Sequence, residues 1–184
     1  MKKSIIVLAV LAVLVTGYGF VTYNKLVSAS ESVDTQWAQV ETQYQRRFDL
    51  IPNLVNSVKG VMKQEEAVFG AIADARTRYA GASSVDEKAQ AASEVESAYA
   101  RLLVVIENYP QLKSSEAVQT LMSQIEGTEN RISVERGRYN DSVRTYNLAA
   151  KRFPSSLVAG VFGYDAKAYF QGAAGSSEAP AVNF

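Results

Sequence analysis

The 184-residue chain contains neither cysteine nor histidine. Their absence removes Cys-His and Ser-His-Asp nucleophile systems, thiolate and imidazole zinc sites, haem ligation and Glu-x-x-His di-iron sites. It also removes the lipid-modified cysteine of a bacterial lipoprotein. Charge of one sign is missing as well: 19 Lys and Arg balance 19 Asp and Glu. The chain therefore has no global field to steer DNA or RNA, and no basic-aromatic or zinc-finger motif appears, so nucleic acid is not an expected partner. There is no phosphate loop, dinucleotide fingerprint, Gly-x-Ser-x-Gly elbow or Ser-x-x-Lys motif. A metal would need an all-oxygen site, and no calcium loop is present. These absences predict no cofactor, no metal and no catalytic residue, and hence a protein that is not an enzyme. With only four prolines, each one inside an apolar pattern carries weight as a boundary.

What the chain does have is one long apolar run. Residues 4–23 carry no charge and follow Lys2 and Lys3. About 20 such residues cross the ~30 Å hydrocarbon core as a helix. This predicts a transmembrane anchor over 1–23, with the lipid bilayer as partner of 4–23. The rival reading is a cleaved signal peptide centred on Ile5 to Val15. The small-residue pattern Val27-Ser28-Ala29 lies too far beyond that centre. Tyr18, Phe20 and Tyr23 suit the far interface of an anchor. Lys2 and Lys3 favour a cytoplasmic N-terminus, a single-pass topology in the cell membrane and an extracytoplasmic domain; Lys25 slightly opposes this.

The remainder is all-α in pattern. Leu26, Ser30, Val33, Trp37, Val40, Tyr44 and Phe48 recur at three and four residues, marking one helix face that continues directly from the anchor. At Pro52 the pattern predicts a corner built from Arg47, Asp49, Pro52 and Asn53, with Asp49 capping a second helix from Leu50 to about Tyr79. Gly81 ends that helix. Ser84-Val85-Asp86-Glu87 is a capping box that starts a third helix, which Pro110 stops. Ser115 caps a fourth, which ends before Pro154. No strand-period segment competes. Short connections imply antiparallel neighbours, so 24–153 is expected to be an up-down four-helix bundle. The tail, 154–184, is expected to hold a sticky apolar segment to about Phe170 and to be flexible after about 171. Because helix four is long, 153–170 should return to the membrane-proximal end, with Arg144, Lys151 and Arg152 near headgroups.

Glu65 and Glu66 diverge by about 100° on a helix and read as a solvated face. Glu129 and Arg136 share one side of helix four, where the expectation is surface ion pairs of small energy. Tyr139-Asn140 and Tyr146-Asn147 repeat one heptad apart, placing both tyrosines on one face. Arg136, Tyr139, Asn140, Tyr146 and Asn147 form the candidate interaction face; the plainer alternative for the tyrosines is core packing with hydrogen-bonded tips.

Several runs together resemble the LemA family of bacterial membrane proteins. They include Tyr23-Asn24-x-Leu26-Val27, Val33-x-x-x-Trp37-x-x-Val40, and Arg46-Arg47-x-Asp49-Leu50-Ile51-Pro52-Asn53-Leu54-Val55. Glu129-Asn130-Arg131-Ile132, Arg136-x-x-Tyr139-Asn140, Tyr146-Asn147, Phe153-Pro154, Phe162-Gly163-Tyr164, Tyr169-Phe170 and Pro180-x-Val182-x-Phe184 also fit. The resemblance implies an anchored helical bundle and supplies no activity. Descriptions of the family have placed the short N-terminus outside, opposite to the lysine count. The functional expectation is a membrane-tethered interaction module or scaffold of the bacterial envelope with an unidentified membrane or envelope protein as partner. The alternatives are a bundle binding lipid or a small apolar ligand, and, behind that, an envelope enzyme.

Overall fold

A computed structural model describes residues 2–62 and 65–170. The expected flexibility after 171 and the closing Pro180-x-Val182-x-Phe184 run lie outside the described residues. Among the described residues every regular element is helical: α1 Lys2–Lys59, α2 Glu66–Gly81, α3 Val85–Glu107, α4 Pro110–Lys113, α5 Glu116–Lys151 and α6 Ser155–Phe162.

The first part of α1 is long and apolar enough to cross a membrane, with a mean hydropathy of 2.5 in its most apolar stretch. Its side chains from Ile5 to Tyr18 are exposed. Burial begins at Thr22 and Leu26 and then recurs every seven residues: Leu26, Val33, Val40, Arg47 and Leu54. Tyr44, Ile51 and Val58 form a parallel row with the same interval. A seven-residue interval is the signature of a helix that keeps one seam turned toward its neighbours. In α5 the matching row is Val118, Ile125, Ile132, Tyr139 and Tyr146.

This seam overturns the predicted corner. α1 runs through Arg47, Asp49, Pro52 and Asn53 without interruption, and Pro52 is an interior residue. An interior proline costs about 3 kcal/mol through its missing N–H and ring clash. Phe48, Ile51, Leu54 and Val58 flank it at 4% exposure or less. Burying each such side chain contributes about 1.5–3 kcal/mol, so continuity outweighs the break. Asp49 is no cap: it is exposed and accepts a hydrogen bond from Gln45 Nε2 at 3.0 Å, one turn away within the helix. Asn53 Nδ2 donates to the Asp49 carbonyl at 3.2 Å. The helix stops at Lys59, followed by Gly60. A basic last turn followed by glycine is a stop signal, and it, not Pro52, marks the end of this helix.

The expected end of the second helix at Gly81 agrees with α2. The capping box is formed: the Ser84 hydroxyl accepts from Glu87 N at 3.2 Å, and Glu87 Oε2 accepts from Ser84 N at 3.1 Å. Hydrogen bonds from the backbone N–H groups of Ser83 and Ser84 hold the Glu87 carboxyl below its ordinary range. α3 buries Ala92, Val95, Tyr99, Leu102 and Ile106. Where a plain connection was expected, Pro110 instead opens the single turn α4, which buries Leu112. α6 was expected only as an apolar tail. Its end has a clear local cause. Gly163 adopts φ 72°, open to glycine without a Cβ penalty, and Tyr164 N donates back to the Ala159 carbonyl at 2.9 Å.

The chain divides into two units. One comprises Met1–Gln39 with Gly137–Tyr169 and the other Val40–Arg136 with Phe170–Phe184. In the first, Leu26, Ala150 and Ala159 form a core with Ala149, Val158 and Tyr164 around it. The Tyr23 ring lies 4.8 Å from that of Phe162, and Trp37 lies 5.3 Å edge-on to Tyr139. This sets the segment after Phe153 beside the end of the apolar run, as expected. In the second unit, Tyr44, Phe48 and Tyr79 form a ring cluster, with Phe48 and Tyr79 at 4.5 Å.

Two substitutions separate a helix interior from a helix start. Asp49→Ala is expected to change stability by no more than about 0.5 kcal/mol, as for an exposed mid-helix site. Ser84→Ala, at a true cap, is expected to cost about 1 kcal/mol. Urea unfolding followed by circular dichroism checks both.

Candidate functional site

The second unit holds a chain of alternating charges. Arg47 leaves the α1 seam, where its side chain is 4% exposed, and pairs with Glu129 of α5. Its Nη1 also lies 3.5 Å from Oε1 of Glu96 on α3. The same Glu96 oxygen accepts from Arg136 Nη2 at 2.5 Å. Arg136 Nε in turn donates to the Tyr44 hydroxyl at 2.9 Å. Aromatic faces cover the cations: the Arg47 guanidinium carbon lies 5.6 Å from the Tyr99 ring centre, and that of Arg136 lies 5.3 Å from Tyr44 and 4.6 Å from Phe170. Glu41 and Lys88 form a further ion pair between α1 and α3.

Burial pushes the Tyr44 hydroxyl up to about 12; the Glu96 charge adds to this, and Arg136 and Arg47 oppose it. Burial also raises Tyr99 and Tyr79, with Glu41 adding to the rise at Tyr79. For Arg136 burial pulls downward, but Tyr44 and Glu96 outweigh it and the net shift is upward. At neutral pH Tyr44 keeps its proton and Arg136 its charge. The arrangement therefore ties α1, α3 and α5 together. The expectation of weak surface pairs is corrected: Glu129 reaches Arg47, Arg136 reaches Glu96, and the Arg47 end is buried. The overlooked signal was a charged residue falling on the seven-residue row Leu26, Val33, Val40, Arg47, Leu54. A polar residue in such a row specifies register at a cost in stability. Glu65, half-buried, and Glu66, exposed, stand at the start of α2.

The first unit holds the other feature. Of the candidate interaction face, Tyr139, Tyr146 and Asn147 are buried, Asn140 is half-buried, and Arg136 belongs to the ion network. For the two tyrosines the core-packing alternative with hydrogen-bonded tips is the one the structure adopts. The chain's own segment after Gly163 occupies the three buried residues. Tyr146 Oη donates to the Asp165 carbonyl at 2.8 Å, and Tyr139 Oη to the Ala168 carbonyl at 3.2 Å. Asn147 acts in both directions on Lys167: Nδ2 donates to its carbonyl at 2.9 Å and Oδ1 accepts from its N–H at 2.9 Å. The Lys167 ammonium reaches Asp34 of α1 at 2.6 Å and sits 5.5 Å over the Tyr146 ring. Burial raises Tyr146, and Asp165 and Asp34 add to the rise. The clamp grips backbone atoms, so it depends on the path of the segment more than on its side chains. The heptad spacing of Tyr139 and Tyr146 identified one face. It could not identify a partner 19 to 29 residues downstream.

An apolar helix long enough to span a bilayer, continuing into helices joined by ion pairs around a buried arginine, defines among the described residues a helical protein suited to membrane anchoring. The sequence profile of the LemA family matches residues 36–184, and the chain belongs to that family. Magnetosome proteins MamQ 1 and MamQ 2 of Paramagnetospirillum magneticum are each 26% identical over 175 residues, 81% of this chain and 64% of theirs. Magnetosome protein MamQ of Magnetospirillum gryphiswaldense is 24% identical over 174 residues, 80% of this chain and 64% of its own. The chain thus covers 64% of the length of these curated relatives.

Two measurements check these features. Asn147→Ala removes both hydrogen bonds to Lys167 and is expected to cost about 1–2 kcal/mol. Hydrogen exchange at residues 165–168 should accelerate, with the amides of α3 unchanged. For Tyr44, the unfolded chain ionises near its ordinary value of 10.0 and the folded chain near about 12. The folded state therefore holds this proton more tightly. The resulting stabilisation is complete below about pH 10 and is lost as pH rises toward 12. Tyr44→Phe should lower stability at neutral pH by about 1 kcal/mol and flatten its decline across that alkaline window, read by urea unfolding at each pH.

Proposed function

We propose that this protein is a membrane-tethered interaction module or scaffold of the bacterial envelope, single-pass, with its N-terminus inside and its folded domain outside. The observation that carries the reading is the exposed apolar stretch of α1 passing without a break into the packed residues Thr22, Leu26 and Val33. The anchor is an extension of the domain's own seam helix, so the domain is held to the membrane surface with no loop in between. Apolar exposure on this scale exceeds the few hundred Å² usual for a monomer in water and marks a lipid or partner surface. On this reading 1–23 is the anchor, 24–153 the folded body and 154–184 the tail.

Within the second unit the pairings support an up-down four-helix arrangement. Glu41 meets Lys88 and, further along both helices, Arg47 meets Glu96, which suits α1 and α3 running the same way. Arg47 meets Glu129 while the earlier Tyr44 meets the later Arg136, which suits α5 running against α1. The charged groups are engaged in holding helices, which favours a binding role over catalysis. The names of the relatives place those proteins at the magnetosome; for this chain we infer only the general class, a protein that organises other components at a membrane. A shallow depression along α5 is lined by Glu116, Gln119, Thr120, Ser123 and Gln124.

Exposed apolar side chains are the natural contact points, among them Val104 of α3 and Val134 of α5, at 62% and 53% exposure. A photo-crosslinking residue at either position in cells should trap a discrete envelope protein. Crosslinks to lipid alone, or none across a scan of α3 and α5, would defeat the scaffold reading. Protease added to intact spheroplasts should digest the chain beyond Asn24; complete protection until lysis would reverse the orientation.

A further inference from the structure

The helix α6 has an unusual composition for its position. Ser155–Phe162 contains no charged residue, and only its two opening serines are polar. One side is packed: Ala159 is 3% exposed against Leu26 and Ala150, with Val158 beside it. The opposite side is open and just as apolar. Leu157 and Val161, one turn apart, are 63% and 79% exposed; Phe162 is 59% and the preceding Phe153 81% exposed. A surface helix in water turns a polar face outward; a helix apolar on all sides belongs in apolar surroundings.

Its location says which surroundings. The Phe162 ring lies 4.8 Å from that of Tyr23, and Tyr164 lies 6.0 Å from the same ring. Tyr23 closes the apolar run of α1. Immediately before it, Phe20 and Val21 are 68% and 66% exposed. The Phe162 end of α6 therefore lies at the level where the apolar run ends. Lys151 and Arg152, also exposed, stand just ahead of it. Apolar side chains at that level with basic residues beside them are the pattern of a segment lying in the headgroup–acyl boundary.

We propose that α6 is a second membrane contact: its Leu157–Val161 face, with Phe153 and Phe162, inserts into the same leaflet from which α1 emerges. The bilayer then holds the domain at two points, a spanning helix and an interfacial one, and fixes its tilt. Gly163 ends the insertion with its left-handed turn, and the Asn147 clamp draws the following segment back along α5. This proposal rests on the reading of residues 4–23 as a membrane span.

The chain has no cysteine, so single cysteines can be placed at 157 or 161 of the full-length protein, at exposed positions that leave the Ala159 core intact. Environment-sensitive nitrobenzoxadiazole labels would be read in phosphatidylcholine/phosphatidylglycerol vesicles carrying doxyl quenchers at shallow or deep acyl positions. A label at 13 reports the anchor, and one at the exposed Thr145 reports water. Shallow quenching at 157 and 161 at least twofold above that at 145, with deep quenching at 13, is the expected result. Quenching at 13 with 157 and 161 no different from 145 would overturn the interfacial helix while leaving the anchor standing. This is also the outcome if a second copy of the chain covers the face. Absence of quenching at 13 would remove the anchor and this proposal together. As a second variant, Leu157→Glu with Val161→Glu should abolish shallow quenching of a label at 153 without changing that at 13; persistence of the 153 signal would likewise count against insertion of this face.

Discussion

The seam of α1 is the constraint on which the other features depend. One helix carries both an exposed apolar stretch and buried residues at seven-residue intervals from Leu26 to Leu54. Burial on both sides of Pro52 makes an interruption there more costly than the proline itself. Continuity of the seam also brings Arg47 into a buried position, and a buried guanidinium requires partners. Glu129 and Glu96 supply them, and Glu96 in turn engages Arg136.

Such a network is poor evidence for stability by itself. Removing charges from water is expensive, and well-packed apolar residues often do as well or better. Its value here lies in register. A leucine at position 47 would accept neighbouring helices slid by a turn; Arg47 accepts only a setting in which carboxylates from α3 and α5 reach it. The aromatic faces of Tyr99, Tyr44 and Phe170 limit the space around the two cations. In the other unit the tyrosine-asparagine clamp does similar work for a segment without regular structure. Asn147 satisfies both the N–H and the carbonyl of Lys167, as a neighbouring strand would. A single extended segment can thus be held against helices at little polar cost.

The two features hold helices in one case and a returning segment in the other. Arg47 and Arg136 are matched by Glu129 and Glu96, and Tyr44 and Tyr146 keep their protons through the physiological range. The chain belongs to the LemA family, and its likeness to the magnetosome MamQ proteins spans 64% of their length.

Much of this was legible in the residues alone because it depends on local periodicity. The apolar run of 4–23, the helical faces, the capping box at Ser84 and Glu87, and the stop at Gly81 are each set by side chains within one or two turns of each other. Family membership was legible in the same way, from short runs such as Asp49 to Val55. Tertiary structure decided what local preference could not. Pro52 read as a break because proline costs a helix its N–H, and only the burial of Phe48, Ile51, Leu54 and Val58 against other elements shows that cost being outweighed. Arg47 read as part of a corner and Arg136 as part of a surface, because the carboxylates that engage them lie 40 to 82 residues away. Tyr139, Tyr146 and Asn147 read as a face awaiting a partner; the partner is the chain's own backbone, whose return along α5 is set by the left-handed turn at Gly163 and the packing of α6 on Leu26. Periodicity states which side of a helix is to be covered, whereas the covering group is chosen by long-range contact, whose chain-closure cost and geometry no local pattern encodes.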